Sequence, residues 1–374
     1  MSKILKLIEQ ETGGKVFKSF KYCFDTVQMP HIVYEDQENT YIPLKDFAEE
    51  VHDPKSRDMR YEAERRMKLP PIFQYFLDGS RKVYKIDDIQ YDNKVFPIVC
   101  GQISVCCCMR EMQEAGLHFK SFHNIEQEVY STICLPVTAN SEGVDDRIFF
   151  NNLAQKIRAL QNGGKIEKIL FYPTKCVGNE TLENKGIAKI QDEMVDCEKR
   201  IVAQLMAKHL LTQDRYLIKD GTIQYRPMKS ADYKELVNIR NNYRWVVGVS
   251  KSFNPNLMKD KRGQSNAAAI ANLPLFHRTP AYLWKPGEMF GDVHFAIWYV
   301  RIRDQRYSET PYSGILKLEK MLMTGKENEQ GLSTDEIDMI TANIINERNP
   351  VCYGSDARWA NHLYPVYMTE AYCK

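Results

Sequence analysis

Two short stretches carry the residues best placed to do chemistry: Phe76-Leu77-Asp78-Gly79-Ser80 and Leu217-Ile218-Lys219-Asp220-Gly221-Thr222. Each is an apolar run, Ile72 to Leu77 and Tyr216 to Ile218, that meets Asp-Gly and then a small hydroxyl residue. Such a run reads as a buried strand, with the carboxylate set where the strand leaves the core. Glycine opens the backbone at that point to close approach by a ligand. If both strands lie in one sheet, Asp78 and Asp220 converge on a hard divalent cation, magnesium or manganese, which prefers oxygen ligands. Metals bridged by carboxylates are a common device for cutting phosphodiesters, because they activate the attacking water and stabilise the leaving oxygen. Asp-Gly between apolar segments is equally a hairpin-turn signal. On that reading the two aspartates lie far apart in space.

The elements that must position these groups follow from the apolar periodicity. From Pro70 the pattern predicts three sequential strands, Ile72 to Leu77, Lys82 to Ile86 and Val95 to Cys108, with Asp78-Gly79 as the first connection. A helix over Asp146 to Gln161 presents Ile148, Phe149, Leu153, Ile157 and Leu160 on one face, and Ile166 to Tyr172 is a strand stopped by Pro173. The long helix Lys185 to Leu211 has an apolar stripe of Ile190, Met194, Ile201, Leu205 and Met206, with Glu198 inside it. A buried acidic group is costly unless paired or bound to metal, so Glu198 is a candidate ligand. Glu193, among charged helical neighbours, reads as a surface residue and a second choice.

Further along come a helix around Ala231 to Tyr243, a strand Trp245 to Val249 ending in Ser250-Lys251, a small-residue helix near Asn266 to Asn272, and an apolar strand Val293 to Ile302. Lys251 at its strand end either reaches a phosphate as a point charge or is an ordinary surface lysine. The same two readings apply to Arg301 and Arg303. Ser333-Thr334-Asp335-Glu336 is a capping-box signal for a helix to about Glu347. The first 69 residues show a short helix at Ile4 to Glu11, a strand-like patch near Phe20 to Val27, and a charged helix from Lys45 to Met67 that either faces phosphate with Arg57, Arg60, Arg65, Arg66 and Lys68 or, with Asp58, Glu62 and Glu64 interleaved, is a solvated face.

Composition bounds the rest. At 374 residues, 43% hydrophobic and 27% charged, the chain supports one or two domains with a large core. A net charge of +2 lacks the basic excess usual in nucleic-acid binders, so any such surface is local or shared with a partner. No apolar run spans a membrane and the first residues lack a signal-peptide core, which predicts a cytoplasmic protein. The ten cysteines show no Cys-x-x-Cys spacing and read as reduced core residues.

The order of these elements resembles the NurA nuclease family: Asp-Gly-Ser on a first strand, a Glu-bearing helix, a strand ending Asp-Gly-Thr, Val-Gly-Val-Ser-Lys, an apolar Tyr-Val-Arg strand and a tail containing Tyr-Pro. The resemblance covers residues 70 to 374 and leaves 1 to 69 as an N-terminal extension. It implies an α/β fold with an RNase H-like mixed sheet flanked by helices. It also implies a manganese- or magnesium-dependent deoxyribonuclease that acts on DNA with a HerA-type hexameric ATPase, as a homodimer, in DNA end processing for repair or in antiviral defence. Asp78, Glu198 and Asp220 then correspond to the catalytic metal ligands, and nearby Lys251 steadies the phosphate. Family members finish with Ala-His, whose imidazole joins the site; here Ala371 is followed by Tyr372. A tyrosine phenol, with a pKa near ~10, is a poor ligand for these ions. Glu370 or His362 therefore substitutes, or the site is weakened. The alternative is a catalytically impaired adaptor that keeps the fold to dock on the translocase and hold DNA.

Overall fold

A computed structural model describes residues 3–17, 21–24, 42–43, 46–51, 53, 55–113, 119–160, 166–178, 180–225, 237, 240–259, 263–285, 293–307, 310–351 and 359–373. The strands of five residues or more are β1 (Phe73–Tyr91), β2 (Lys94–Met112), β3 (Phe119–Pro136), β4 (Ile166–Tyr172), β5 (Tyr216–Asp220), β6 (Val246–Ser250), β7 (His294–Arg301) and β8 (Ile315–Leu322). The α-helices among the described residues are α1 (Lys3–Thr12), α2 (Arg60–Arg66), α3 (Asp146–Leu160), α4 (Leu182–Ala207), α5 (Ala267–Ala271), α6 (Gly325–Gln330), α7 (Thr334–Asn346) and α8 (Tyr364–Cys373).

The long strands form one mixed sheet in the order β7-β8-β6-β5-β1-β2-β3-β4. Strand β2 is antiparallel to both β1 and β3, β5 and β6 are parallel to β1 and to each other, β8 is antiparallel to β6, and β7 is antiparallel to β8. Helices cover both faces, as an α/β architecture requires for a sheet buried on two sides. Because successive strand side chains alternate between faces, β1 and β5 each feed two cores. Leu77 and Leu217 join Ile190, Met194, Ile201 and Leu205 of α4 on one face. Phe76 and Ile218 join Ile337 and Ile340 of α7 and Val366 of α8 on the other. A third core packs α1 and α3 against β2 and β3, through Leu5, Ile8, Ile98, Leu135, Phe149 and Leu153. No helix among the described residues is long and apolar enough to cross a membrane.

Several expectations need correction. Asp78-Gly79 is neither a turn nor a strand end: β1 runs through it for 19 residues and pairs with β2 from Tyr75 to Tyr91, with a register shift between Lys85 and Asp87. The charged helix expected over Lys45 to Met67 is reduced to α2, because Arg57–Asp58 pairs as a strand with His277–Arg278. In α3, Ile148 and Leu160 are exposed and Phe150 and Ala154 are buried instead. The capping box occurs at Thr324 and Glu327, ahead of α6, whereas Ser333 makes no side-chain cap. Most of the helix expected around Ala231 to Tyr243, and half of the patch near Phe20 to Val27, lie outside the described residues. The cysteines are not all reduced: Cys106 and Cys373 form a disulfide, and Cys176 is exposed.

Candidate metal centre

Parallel pairing of β1 with β5 sets the site. Leu77 lies opposite Lys219, so the next residues, Asp78 and Asp220, stand side by side on the face that carries α7 and α8. Asp220 is opposite Val249 of β6, and Lys251, two residues on, returns to the same face. Helix α8 crosses this face and brings Glu370. The carboxylates of Asp78, Asp220 and Glu370 offer oxygens that all lie within 4.8 Å of one another. The Lys251 ammonium, 5% exposed, sits 2.8 Å from Asp220 Oδ2 and donates to Glu370 Oε1.

The local sequence explains why the groups stay put. Gly221 takes φ +83°, a left-handed conformation suited to glycine, and its N–H donates to the Val249 carbonyl at 2.8 Å. The turn that follows is held by Glu319 of β8, which accepts from Thr222 Oγ1 at 2.8 Å, Ile223 N at 3.0 Å and Gln224 Nε2 at 2.8 Å. Lys317 neutralises Glu319 at 2.8 Å. Asn361 donates to the Lys251 carbonyl at 2.8 Å and fixes the strand end that carries the ammonium.

The electrostatics are unbalanced. Three carboxylates face one ammonium, so when all are ionised the cluster carries two net negative charges. Burial, then the neighbouring Asp220, pushes the Asp78 carboxyl well above the usual range, although Lys251 acts in the opposite direction. Burial alone would lower the Lys251 ammonium, but Asp220, Glu370 and Asp78 overcome it and raise its pKa. Among the described residues Asp220 Oδ1 is buried without a hydrogen-bond partner, an arrangement that costs free energy unless something else meets the oxygen.

Glu198 does not join this cluster. It belongs to α4, on the opposite face of the sheet, where it is 1% exposed and pairs with Lys219 at 3.1 Å. A Cβ built on Gly79 would come within 2.7 Å of Glu198 Oε1, so the glycine of the first Asp-Gly makes room for this side chain on the α4 face. Burial raises the Glu198 carboxyl and Lys219 offsets part of that. Glu193 is buried rather than a surface residue; it accepts from Tyr130 and pairs with Lys168 at 2.6 Å. His362, 2% exposed, packs against Tyr367 and is not part of the carboxylate cluster, nor is Tyr372, which lies beside Phe122. Lys251 is buried, not a surface lysine. Arg301 is also buried and donates to the carbonyls of Ala271, Leu273, Pro311 and Ser313, while Arg303 donates to that of Arg348.

Glu319 was missed by sequence reasoning. Its signal was a strand, Ile315–Leu322, whose apolar run is interrupted by Lys317, Glu319 and Lys320 and yet is buried at every position. No family model matches the chain, and no curated protein matches it.

Proposed function

We propose that the chain is a divalent-cation-dependent nuclease that hydrolyses phosphodiester bonds in DNA, with Asp78, Asp220 and Glu370 as the ligands of manganese or magnesium. The observation that carries this reading is the meeting of three carboxylates from β1, β5 and α8 around a single buried lysine ammonium, with one oxygen of Asp220 unpartnered among the described residues. That donor set suits a hard cation: all oxygen, negatively charged and drawn from rigid elements. A bound ion of this class offsets charge on the scissile phosphate and makes water a better nucleophile. The chain's own contribution is to hold the ligands. Lys251 ties Asp220 to Glu370, and Glu319 holds the turn that follows Asp220. Glu198, paired with Lys219 across the sheet, acts through the position of β5 and not as a ligand.

An RNase H-like core is the finer reading of the fold. Three long strands antiparallel in succession, then α3, the edge strand β4 and α4, then two strands parallel to the first, with the sheet order β3-β2-β1-β5-β6, support it. The resemblance to the NurA family adds a homodimer that works with a HerA-type hexameric ATPase. A cleft of about 150 Å³ whose lining includes Ser80, two residues along β1 from Asp78, with Arg81, Lys82, Gln102, Ser104, Gln127, Val129, Tyr372 and Cys373, offers a track for a nucleic-acid strand. Hydroxyls and amides meet phosphate oxygens there, and Tyr372 at the rim presents a stacking surface. The test is manganese-dependent degradation of single-stranded and end-containing DNA: Asp78→Ala, Asp220→Ala and Glu370→Ala should each lose at least a hundredfold in rate. Undiminished activity in these variants overturns the assignment.

One observation favours the adaptor reading instead. The Lys251 ammonium already bridges two of the three carboxylates and takes part of the role a cation would fill. An adaptor predicts that DNA still binds and that manganese leaves the melting temperature unchanged.

A further inference from the structure

We propose that Cys106 and Cys373 form a reversible redox latch that fixes the last turn of α8 and thereby decides whether Glu370 reaches the cation site; this rests on the cation reading above. The two cysteines are bonded to each other across 267 positions of sequence. Both ends of the bond lie at the site. Cys106 is paired in register with Asp78 on the adjoining strand. The Cys373 sulfur is 3.4 Å from the Asp78 carbonyl oxygen, and the Cys106 sulfur is 3.4 Å from the carbonyl oxygen of Thr369.

Helical spacing links the bond to the ligand. Val366 precedes Glu370 by four positions and Cys373 follows it by three, so the three side chains share one face of α8. Glu370 is therefore held between an apolar anchor one turn before it and a covalent anchor one turn after it. The other buried side chains of the helix, Pro365 and Thr369, lie earlier than Glu370, and Tyr372 is 43% exposed. Without the covalent bond the last turn keeps little apolar packing, the condition under which helix ends open locally.

Access and selectivity are also present. The cleft that includes Ser80, two residues along β1 from Asp78, is lined by Cys373 itself, together with Ser104 and Gln127. A dithiol reductant entering there attacks the Cys373 sulfur: its thiolate bonds to Cys373 while Cys106 leaves as a thiolate and takes up a proton. The second thiolate of the reductant then displaces Cys373, which is protonated in turn, leaving two protein thiols and the reductant as its own disulfide. Adjacent Cys107 and Cys108 are free, and burial raises both thiols, Cys108 to about 11, so they stay protonated and do not scramble the bond. In a reducing compartment a disulfide is characteristically transient, catalytic or sensing.

The full chain tests this in three states: untreated, reduced with dithiothreitol, and as the variant Cys373→Ser. Hydrogen exchange over residues 364–373 and manganese affinity are read in each. The latch predicts at least tenfold faster exchange and at least tenfold weaker manganese binding in the reduced chain and in Cys373→Ser. It also predicts that Glu370→Gln binds manganese equally weakly in both redox states. Exchange that does not respond to reduction overturns the latch, as does faster exchange with manganese affinity unchanged. Exchange that responds while manganese binds no state at all refutes the cation reading instead, and leaves the disulfide a structural clasp without the proposed output.

Discussion

Asp78 gives up its proton less readily in the cation-free protein than an ordinary aspartate does, because burial and then Asp220 penalise its charge. Its carboxyl therefore binds protons more tightly in the folded chain than in the unfolded one, where an aspartate titrates near ~3.9. Between those two pKa values the folded state holds the extra proton, so its stabilising contribution is complete at acid pH and is lost as pH rises through the raised value. The sign gives a prediction: in buffer free of divalent cations, Asp78→Asn melts higher than the wild type at pH 8, and the difference shrinks toward pH 4. Lys251 has the opposite character. Lys251→Met removes the ammonium beside three carboxylates and should cost about 3–5 kcal/mol of stability in urea unfolding, a loss that added manganese narrows. At this scale the sequence was legible where two distant stretches shared one pattern, since apolar runs meeting Asp-Gly marked Asp78 and Asp220. It was not legible for Glu198, because a helical stripe reveals that an acid is buried but not whether a lysine on the neighbouring strand, here Lys219, already meets it.

Gly79 shows how one residue is read differently at the scale of elements. Next to an aspartate and after an apolar run it signals a turn, yet its service is to α4. A Cβ there meets Glu198 Oε1 at 2.7 Å and the Met194 Cγ and Sδ atoms at 3.2 Å, so these two side chains of α4 occupy the space that atom would take. Gly79→Ala should cost about 1–3 kcal/mol by overpacking, measured by chemical denaturation, with no change in the number of carboxylates at the site. The helix Leu182–Ala207 and the strand Val246–Ser250 matched their periodicity because each has one consistent apolar pattern. The segment around Arg57 did not, since pairing with His277–Arg278 overrode its helical composition.

Across the whole molecule, the site exists because the sheet gathers remote pieces of chain. β1, β5 and β6 lie side by side, and α8, nearly 300 residues after Asp78 in sequence, closes over them. Long-range pairing of this kind leaves no local trace, which is why Glu370 could be named only as one of several substitutes for a ligand and why the bond between Cys106 and Cys373 was not foreseen. The account's central claim is that these assembled carboxylates hold a divalent cation. Calorimetric titration of manganese into the wild type and into Asp220→Asn measures it most directly. The account predicts saturable binding to the wild type that falls at least tenfold in the variant; an absence of binding in both, or equal binding to both, contradicts it.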